Sequence, residues 1–342
     1  QFAVQTIACG SDSVQYFQMR KSRGAAEQFH GAVIDHIGTN DTRIFKEVKK
    51  TGETLRKLAE VEGSLKNNEV AIIFEWDNWW AVDGAGAFGH STKKYDSTCR
   101  DYWVKLMEFG VEADVISTAD ELSDYKLIIV PMLFMLKDNI AGKLAEFVKD
   151  GGTVLITYIS GYINENCLCY QGGFPGDGLH ELLGVISEEI DTLYPADKNG
   201  IRISYKGLDT VFEVKDYAEI LRVKDAQILG TYTEDFYKDS AAITCKNYGN
   251  GKAYYQAARC SVDDLSDFIR ILLEEAGIDT KDIPAGIEYH KRIGKNATYE
   301  FYLNLSSNSI ELSNIEGINL MTGEQIRGSI SLELREYLVL KD

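Results

Sequence analysis

The sequence predicts an α/β protein in three parts: a βα segment at the start, a doubly wound parallel sheet in the middle and a small antiparallel β domain at the end. Three observations carry this. Four short, almost wholly apolar runs alternate with stretches of helical periodicity between residues 70 and 158, as strands covered by helices on both faces do. Residues 287–342 instead alternate apolar and polar side chains between turns, the pattern of a half-buried antiparallel sheet. At 342 residues with 44% hydrophobic and 26% charged positions, the chain is large enough for more than one packed core.

In order along the chain, residues 1–63 read as helix, strand, polar loop and helix. Asp12-Ser-Val-Gln-Tyr-Phe-Gln-Met alternates like a strand, and Ile44, Phe45, Val48, Leu55 and Leu58 recur at helical spacing between Thr42 and Ala59. One βα unit cannot cover both faces of its strand, so this segment reads as the closing piece of a parallel barrel or sheet. Uncovered apolar faces on Val14, Tyr16, Ile44 and Val48 are the expected sign of a partner for it.

The middle part spans 64–280. Its strands are Val70-Ala-Ile-Ile-Phe-Glu-Trp, Ala113-Asp-Val-Ile, Lys126-Leu-Ile-Ile-Val-Pro and Thr153-Val-Leu-Ile-Thr-Tyr, with helices near 92–109 and 138–150. Gly110, Gly151 and Gly152 stand where helices end. Residues 200–260 are rich in β-formers and close on Gly251-Lys-Ala-Tyr-Tyr-Gln, and a helix from Val262 to Glu275 returns to the sheet. Pro284 and Gly286 mark the passage to the last part, 281–342.

Composition narrows the function. A formal charge of −17 repels phosphate, so nucleic acid and anionic membrane are poor partners, whereas a neutral sugar is held by hydrogen bonds and aromatic faces. Six scattered cysteines in so long a chain read as reduced thiols, and Cys167-x-Cys169 is too tightly spaced for a structural zinc pair, so no metal and no organic cofactor are expected. No apolar run approaches the ~18 residues of a membrane span, no secretory leader is visible at the start, and a cytoplasmic location is expected.

The chemistry concentrates past the first predicted strand. Arg20, Arg23, Glu27 and His30 lie close together, with Gly24 and Gly31 to free the backbone. Glu27 and His30 are three apart, so one turn aims both at the same place. A carboxylate accepting from two sugar hydroxyls and an imidazole serving a third suit a pyranose ring. The alternative is structural: an ion-pair network of Glu27, Arg20 and Arg23 around a satisfied histidine.

The run Gly10-x-Asp-Ser-Val-x-Tyr-Phe-Gln-x-Arg-x-Ser-Arg-Gly-x-x-Glu-x-Phe-His-Gly, with Thr42-Arg-Ile-Phe-Lys-Glu-Val and Phe74-Glu-Trp-Asp-Asn-Trp-Trp-Ala, closely resembles family 42 β-galactosidases. The resemblance implies the end of a (β/α)8 barrel over 1–63, a trimerisation domain over 64–280 and a small β domain. It further implies a retaining hydrolysis of terminal β-D-galactosides by two glutamates on earlier barrel strands, a homotrimer, and the remaining barrel portion as partner. By the same resemblance Glu27 and His30 match the galactose-contacting pair, while Arg20 and Arg23 support their loop. Met19 replaces the family's usual Trp, which alters local packing.

Phe74-Glu-Trp-Asp-Asn-Trp-Trp-Ala reads as alternation at a strand end that packs a core or an interface, with Asn78, Trp79 and Trp80 as candidate interface or site-rim residues. The middle part also looks like the flavodoxin-like class I glutamine amidotransferases. No Gly-x-Cys-x-Gly or Gly-x-Ser-x-Gly elbow follows its strands, the nearest run being Thr157-Tyr-Ile-Ser-Gly-Tyr. The leading expectation is therefore part of a β-galactosidase that is inactive alone, with both catalytic glutamates upstream. The alternatives are a non-catalytic oligomerisation or carbohydrate-binding module, and an amidotransferase-like enzyme that lacks its nucleophile.

Overall fold

The computed structural model describes every residue except Ala87, Phe88 and His90. It divides into two compact units, one made of residues 1–67 with 283–342 and the other of residues 68–282. The first unit opens with helix α1 (Phe2–Ala8), and helix α2 (Arg43–Lys57) follows after a long irregular stretch. Thr42 caps α2, its hydroxyl accepting from the Phe45 amide at 3.2 Å. The strand expected over Asp12–Met19 does not form. A parallel strand needs hydrogen-bonded neighbours, and here the pairing is a single bridge, Arg20 to Ile34.

The second unit is built on a mixed sheet. Its elements are β1 (Val70–Ile73), α3 (Trp76–Gly84), α4 (Tyr95–Glu108), β2 (Ala113–Ile116), β3 (Leu127–Val130), β4 (Met135–Leu136), α5 (Ile140–Lys149), β5 (Thr153–Thr157), β6 (Ile163–Asn164) and α6 (Leu179–Leu183). Then come β7 (Val185–Thr192), β8 (Asn199–Tyr205), β9 (Leu208–Val223), β10 (Gln227–Tyr232), β11 (Ala241–Tyr248), β12 (Gly251–Gln256), β13 (Ala258–Cys260) and α7 (Leu265–Glu275).

Strands β2, β1, β3, β5 and β12 lie side by side and parallel, in the order of a flavodoxin-like sheet. Alternate side chains serve two cores. Val70, Ile72, Leu127, Ile129 and Leu155 pack with α4 and α7, while Ala71, Ile73, Ile128, Val130, Val154 and Ile156 pack with α5 and α6. Two covered faces explain why these strands are continuously apolar. Beyond β12 the sheet continues antiparallel through β11, β10, β8, β9 and β13, with β7 on β9.

One reading is corrected here. Residues 76–84, taken as alternation at a strand end, form α3. Glu75 caps it, one carboxylate oxygen accepting from the Asp77 amide at 3.3 Å, and Trp76, Trp79 and Trp80 then share a helical face by three- and four-residue spacing.

Gly251 opens β12 where a side-chain methyl would overlap the carbonyl oxygens of Gly152 and Val148. Only glycine permits that approach, so Gly251→Ala is expected to destabilise the second unit by about 1–3 kcal/mol, read as a lower urea midpoint.

The C-terminal sheet of the first unit is wholly antiparallel. Its strands β14 (Ile287–Ile293), β15 (Thr298–Asn304), β16 (Ile310–Asn319), β17 (Gln325–Leu332) and β18 (Tyr337–Lys341) take the order 14-15-18-16-17. One face holds Tyr302, Leu312, Leu332 and Leu340. The other presents Tyr299, Phe301, Leu303 and Val339 to Val4, Ile7 and Ala8 of α1 and to Leu58 and Val61. The first 67 residues therefore have a partner within the chain, which the reading of an uncovered segment did not foresee. Val14 leans on this core, Ile44 and Val48 are half-buried, and Tyr16 stays exposed.

Candidate functional site

In the first unit the irregular stretch is cinched at its base and everted beyond it. Val33 and Ile34 amides donate to the Gln18 and Met19 carbonyls at 3.0 and 2.8 Å, and the Lys21 amide donates to Ile34 at 3.0 Å. Lys21 Nζ pairs with Asp35 at 3.1 Å, and the His36 ring bonds the Ser22 carbonyl at 2.8 Å. The Lys21 hydrogen bond, then that of the His36 amide, hold the Asp35 carboxyl below its ordinary range.

Residues 25–30 form the tip, with Gln28 and His30 amides donating to Ala25 and Glu27 carbonyls at 3.3 and 3.0 Å. Glu27 and His30 thus share one exposed turn, and among the described residues neither side chain has a partner. Arg20 and Arg23 line a hollow of about 310 Å³ with Lys21, Asp35 and His36; the ion pair that braces the loop is that of Lys21. Around the tip, Phe17 and Phe29 are 74% and 77% exposed, with Met19 and Tyr16 also open to solvent.

The second unit places the other candidates. Asn78 is buried, its amide donating to the Met132 carbonyl at 3.0 Å and accepting from the Met135 amide at 2.8 Å. It is a core clamp and not a rim residue, because both ends of its amide are consumed indoors. Trp79 stacks on Trp76 at 5.4 Å, and Trp80 projects outward beside a groove of about 680 Å³ shared with Phe134, Met135 and Ile163. Glu75 and Asp77 are bridged by Lys137 at 3.5 and 2.6 Å, so both acids are spent on structure.

After β5 the chain makes a strained turn with Ile159 at φ 58°, a left-handed conformation that a β-branched residue seldom adopts. This is the position where an elbow enzyme carries its nucleophile, and an isoleucine cannot attack. The Ile159 amide donates to Glu219 at 2.8 Å, Tyr162 donates to the same carboxylate at 2.8 Å, and Tyr255 donates to its other oxygen. Burial pushes the Glu219 carboxyl up to about 7. Nothing in the sequence singled this carboxylate out, since its three donors come from distant elements.

The chain is similar to known proteins over nearly its whole length. Residues 68–279 match the family described as β-galactosidase trimerisation domain, and residues 1–58 match the family described as β-galactosidase. The chain is 38% identical over 339 residues to β-galactosidase Pbg of Clostridium perfringens, covering 97% of this chain and 49% of that protein. It is 40% identical over 339 residues to β-galactosidase GalA of Bacillus licheniformis, covering 98% and 50%. Among solved structures it is similar to Gan42B, a family 42 β-galactosidase of G. stearothermophilus, with a TM-score of 0.92 at 37% identity over 100% of this chain and 50% of that one. A β-galactosidase of Bacillus circulans sp. alkalophilus gives 0.91 at 31% over 99% and 51%. The chain spans about half the length of the curated relatives it matches. Among the described residues no helix is long and apolar enough to cross a membrane.

Proposed function

This chain belongs to the family 42 β-galactosidases, and from that premise we propose that it supplies the galactose-contacting edge and the assembly part of a retaining, cytoplasmic β-galactosidase. Residues 1–63 close a (β/α)8 barrel, 64–280 form the trimerisation domain, and 281–342 form the small β domain. The acid/base and nucleophile glutamates lie outside residues 1–342, so the double displacement through a galactosyl-enzyme intermediate needs the rest of the barrel.

The observation that supports this best is the tip that carries Glu27 and His30. Both side chains are free of protein partners and leave one turn together. Glu27 accepts from two hydroxyls of the sugar and His30 serves a third. The exposed Phe17, Met19 and Phe29 are apolar surface of the kind that further barrel strands cover. Trp79 and the exposed Trp80 are assigned to the surface that meets another subunit of the homotrimer.

The test is turnover of a chromogenic β-galactoside. The chain alone is expected to show none. Fused in frame behind the half of the Clostridium perfringens relative that lies outside the match, it is expected to turn over. In that fusion Glu27→Ala and His30→Ala should each lower kcat/KM about tenfold to a hundredfold, the worth of a hydrogen bond to or from a polar site group. Turnover by the pure chain, or full activity in the double variant, contradicts the proposal.

A further inference from the structure

Outside that tip, three chemically distinct side chains meet at one point in the first unit. Cys9, at the C-terminal end of α1, places its sulfur 3.5 Å from His290 Nε2. Glu288, two residues before His290 on β14, places Oε1 2.6 Å from the same nitrogen. All three donor atoms lie within 4.8 Å of one another. The imidazole is buried, the carboxylate half-buried and the thiol exposed, so the cluster is fixed from below and reachable from solvent. Gln5 anchors the other carboxylate oxygen at 2.7 Å.

The contacts do not describe a nucleophile–base–acid relay. A relay needs the thiol on one ring nitrogen and the carboxylate on the other, whereas here both address Nε2. Two donors converging with an imidazole nitrogen on one point are the geometry of metal ligands. With zinc–sulfur near 2.3 Å and zinc–nitrogen near 2.05 Å, a tetrahedral angle sets sulfur and nitrogen about 3.6 Å apart, against the 3.5 Å found. The carboxylate oxygen has to withdraw by about 0.7 Å from its 2.6 Å hydrogen bond to reach the matching separation, a small rotation about the Glu288 side chain.

We propose that Cys9, Glu288 and His290 bind one zinc-class divalent cation, with water in the fourth position, and that the ion pins α1 to β14. The mixed sulfur, nitrogen and oxygen set selects a borderline ion over calcium or magnesium. Lys66 Nζ lies 3.3 Å from His290 Nδ1, which in the absence of metal favours the imidazole proton on Nε2. On binding, that proton moves to Nδ1, the half-exposed Lys66 swings toward solvent, and the Cys9 thiol gives up one proton. The thiolate and carboxylate then neutralise the cation.

The experiment is titration of the whole chain with Co²⁺ under a non-coordinating reductant. A near-ultraviolet thiolate-to-cobalt band saturating at about one equivalent is expected, with a rise in the thermal midpoint on adding Zn²⁺. Cys9→Ser should abolish the band and weaken binding about a hundredfold or more, and Glu288→Gln should weaken binding while leaving the band. Cys167 and Cys169 are the other exposed thiols, so the Cys167→Ser/Cys169→Ser variant must keep the band. Absence of a band in the unaltered chain, or its survival in Cys9→Ser, overturns the proposal; because Cys9 is exposed, its serine variant is not expected to misfold.

Discussion

Arg292→Met is expected to lower the stability of the unit formed by residues 1–67 and 283–342 by about 2–4 kcal/mol. Arg292 stands on β14 and is 1% exposed. One terminal nitrogen donates to the carbonyls of Ile7 at 2.9 Å and Ser11 at 2.7 Å; the other donates to Asp12 at 2.8 Å and to the Ser64 carbonyl at 2.6 Å. A buried cation is often replaceable by an apolar group, because its desolvation cancels its attractions. Here the acceptors decide otherwise. Asp12 and Ser11 are open enough to take water instead, and the buried Ile7 carbonyl keeps the Gly10 amide at 3.0 Å, but the buried Ser64 carbonyl is orphaned, at a cost of about 1–3 kcal/mol. The lost packing of the guanidinium stem adds to that.

The same contact has a pH signature. Its hydrogen bond to Arg292, then the Gly63 amide, hold the Asp12 carboxyl below its ordinary range. Stability from a depressed carboxyl is present above its unfolded-state value and lost as pH falls through the folded one, so the methionine variant should lose that acid-side component. All four tryptophans lie between residues 76 and 103, outside this unit, and their fluorescence does not report on it. Hydrogen exchange of α1 and residues 58–66 does, and unchanged protection there would dismiss the role given to Arg292.

The parallel sheet was legible because burial on two faces writes an unbroken apolar run, and β1, β3 and β5 are such runs. The alternation over Asp12–Met19 is equally real, yet it records where side chains can point and not whether a neighbouring strand is present to pair with. Alternation also misled at Phe74–Ala81. The acids Glu75 and Asp77 at its start were the available sign of a helix N-terminus. Of the proposed site, the sequence spacing of Glu27 and His30 matched their place on one exposed turn, while a role for them toward a sugar rested on the resemblance. Asn78 was not placed correctly, since the carbonyl and amide that consume it come from residues 132 and 135. The cluster of Cys9, Glu288 and His290 could not be read at all: sulfur and ring meet across 281 positions of sequence.

Glu219 carries the second large effect. Its carboxyl is raised from 4.5 to about 7 by burial, so the folded chain keeps a proton that the unfolded chain has released. Between those values the unfolded state binds fewer protons, and stability falls as pH rises, by about 3 kcal/mol in all, before levelling above pH 7. Glu219→Gln cannot ionise. It keeps one acceptor for the Ile159 amide and Tyr162, while the Tyr255 hydroxyl can turn to accept from the new amide, so the variant should lose this slope and be the more stable at pH 8. Glu219→Leu, by contrast, leaves the Ile159 amide and the Tyr162 and Tyr255 hydroxyls facing an apolar side chain in the core, at an expected cost of about 3–5 kcal/mol relative to the glutamine variant at every pH. It also removes the bond that holds Ile159 in its left-handed conformation, a strain of order 1–3 kcal/mol that the surroundings must otherwise restrain. Tryptophan fluorescence during urea unfolding reports on this unit directly, because Trp76, Trp79, Trp80 and Trp103 all belong to it. The difference in slope between the parent chain and the glutamine variant isolates Glu219 from every other titrating group, and two parallel curves would show that its proton plays no part in folding.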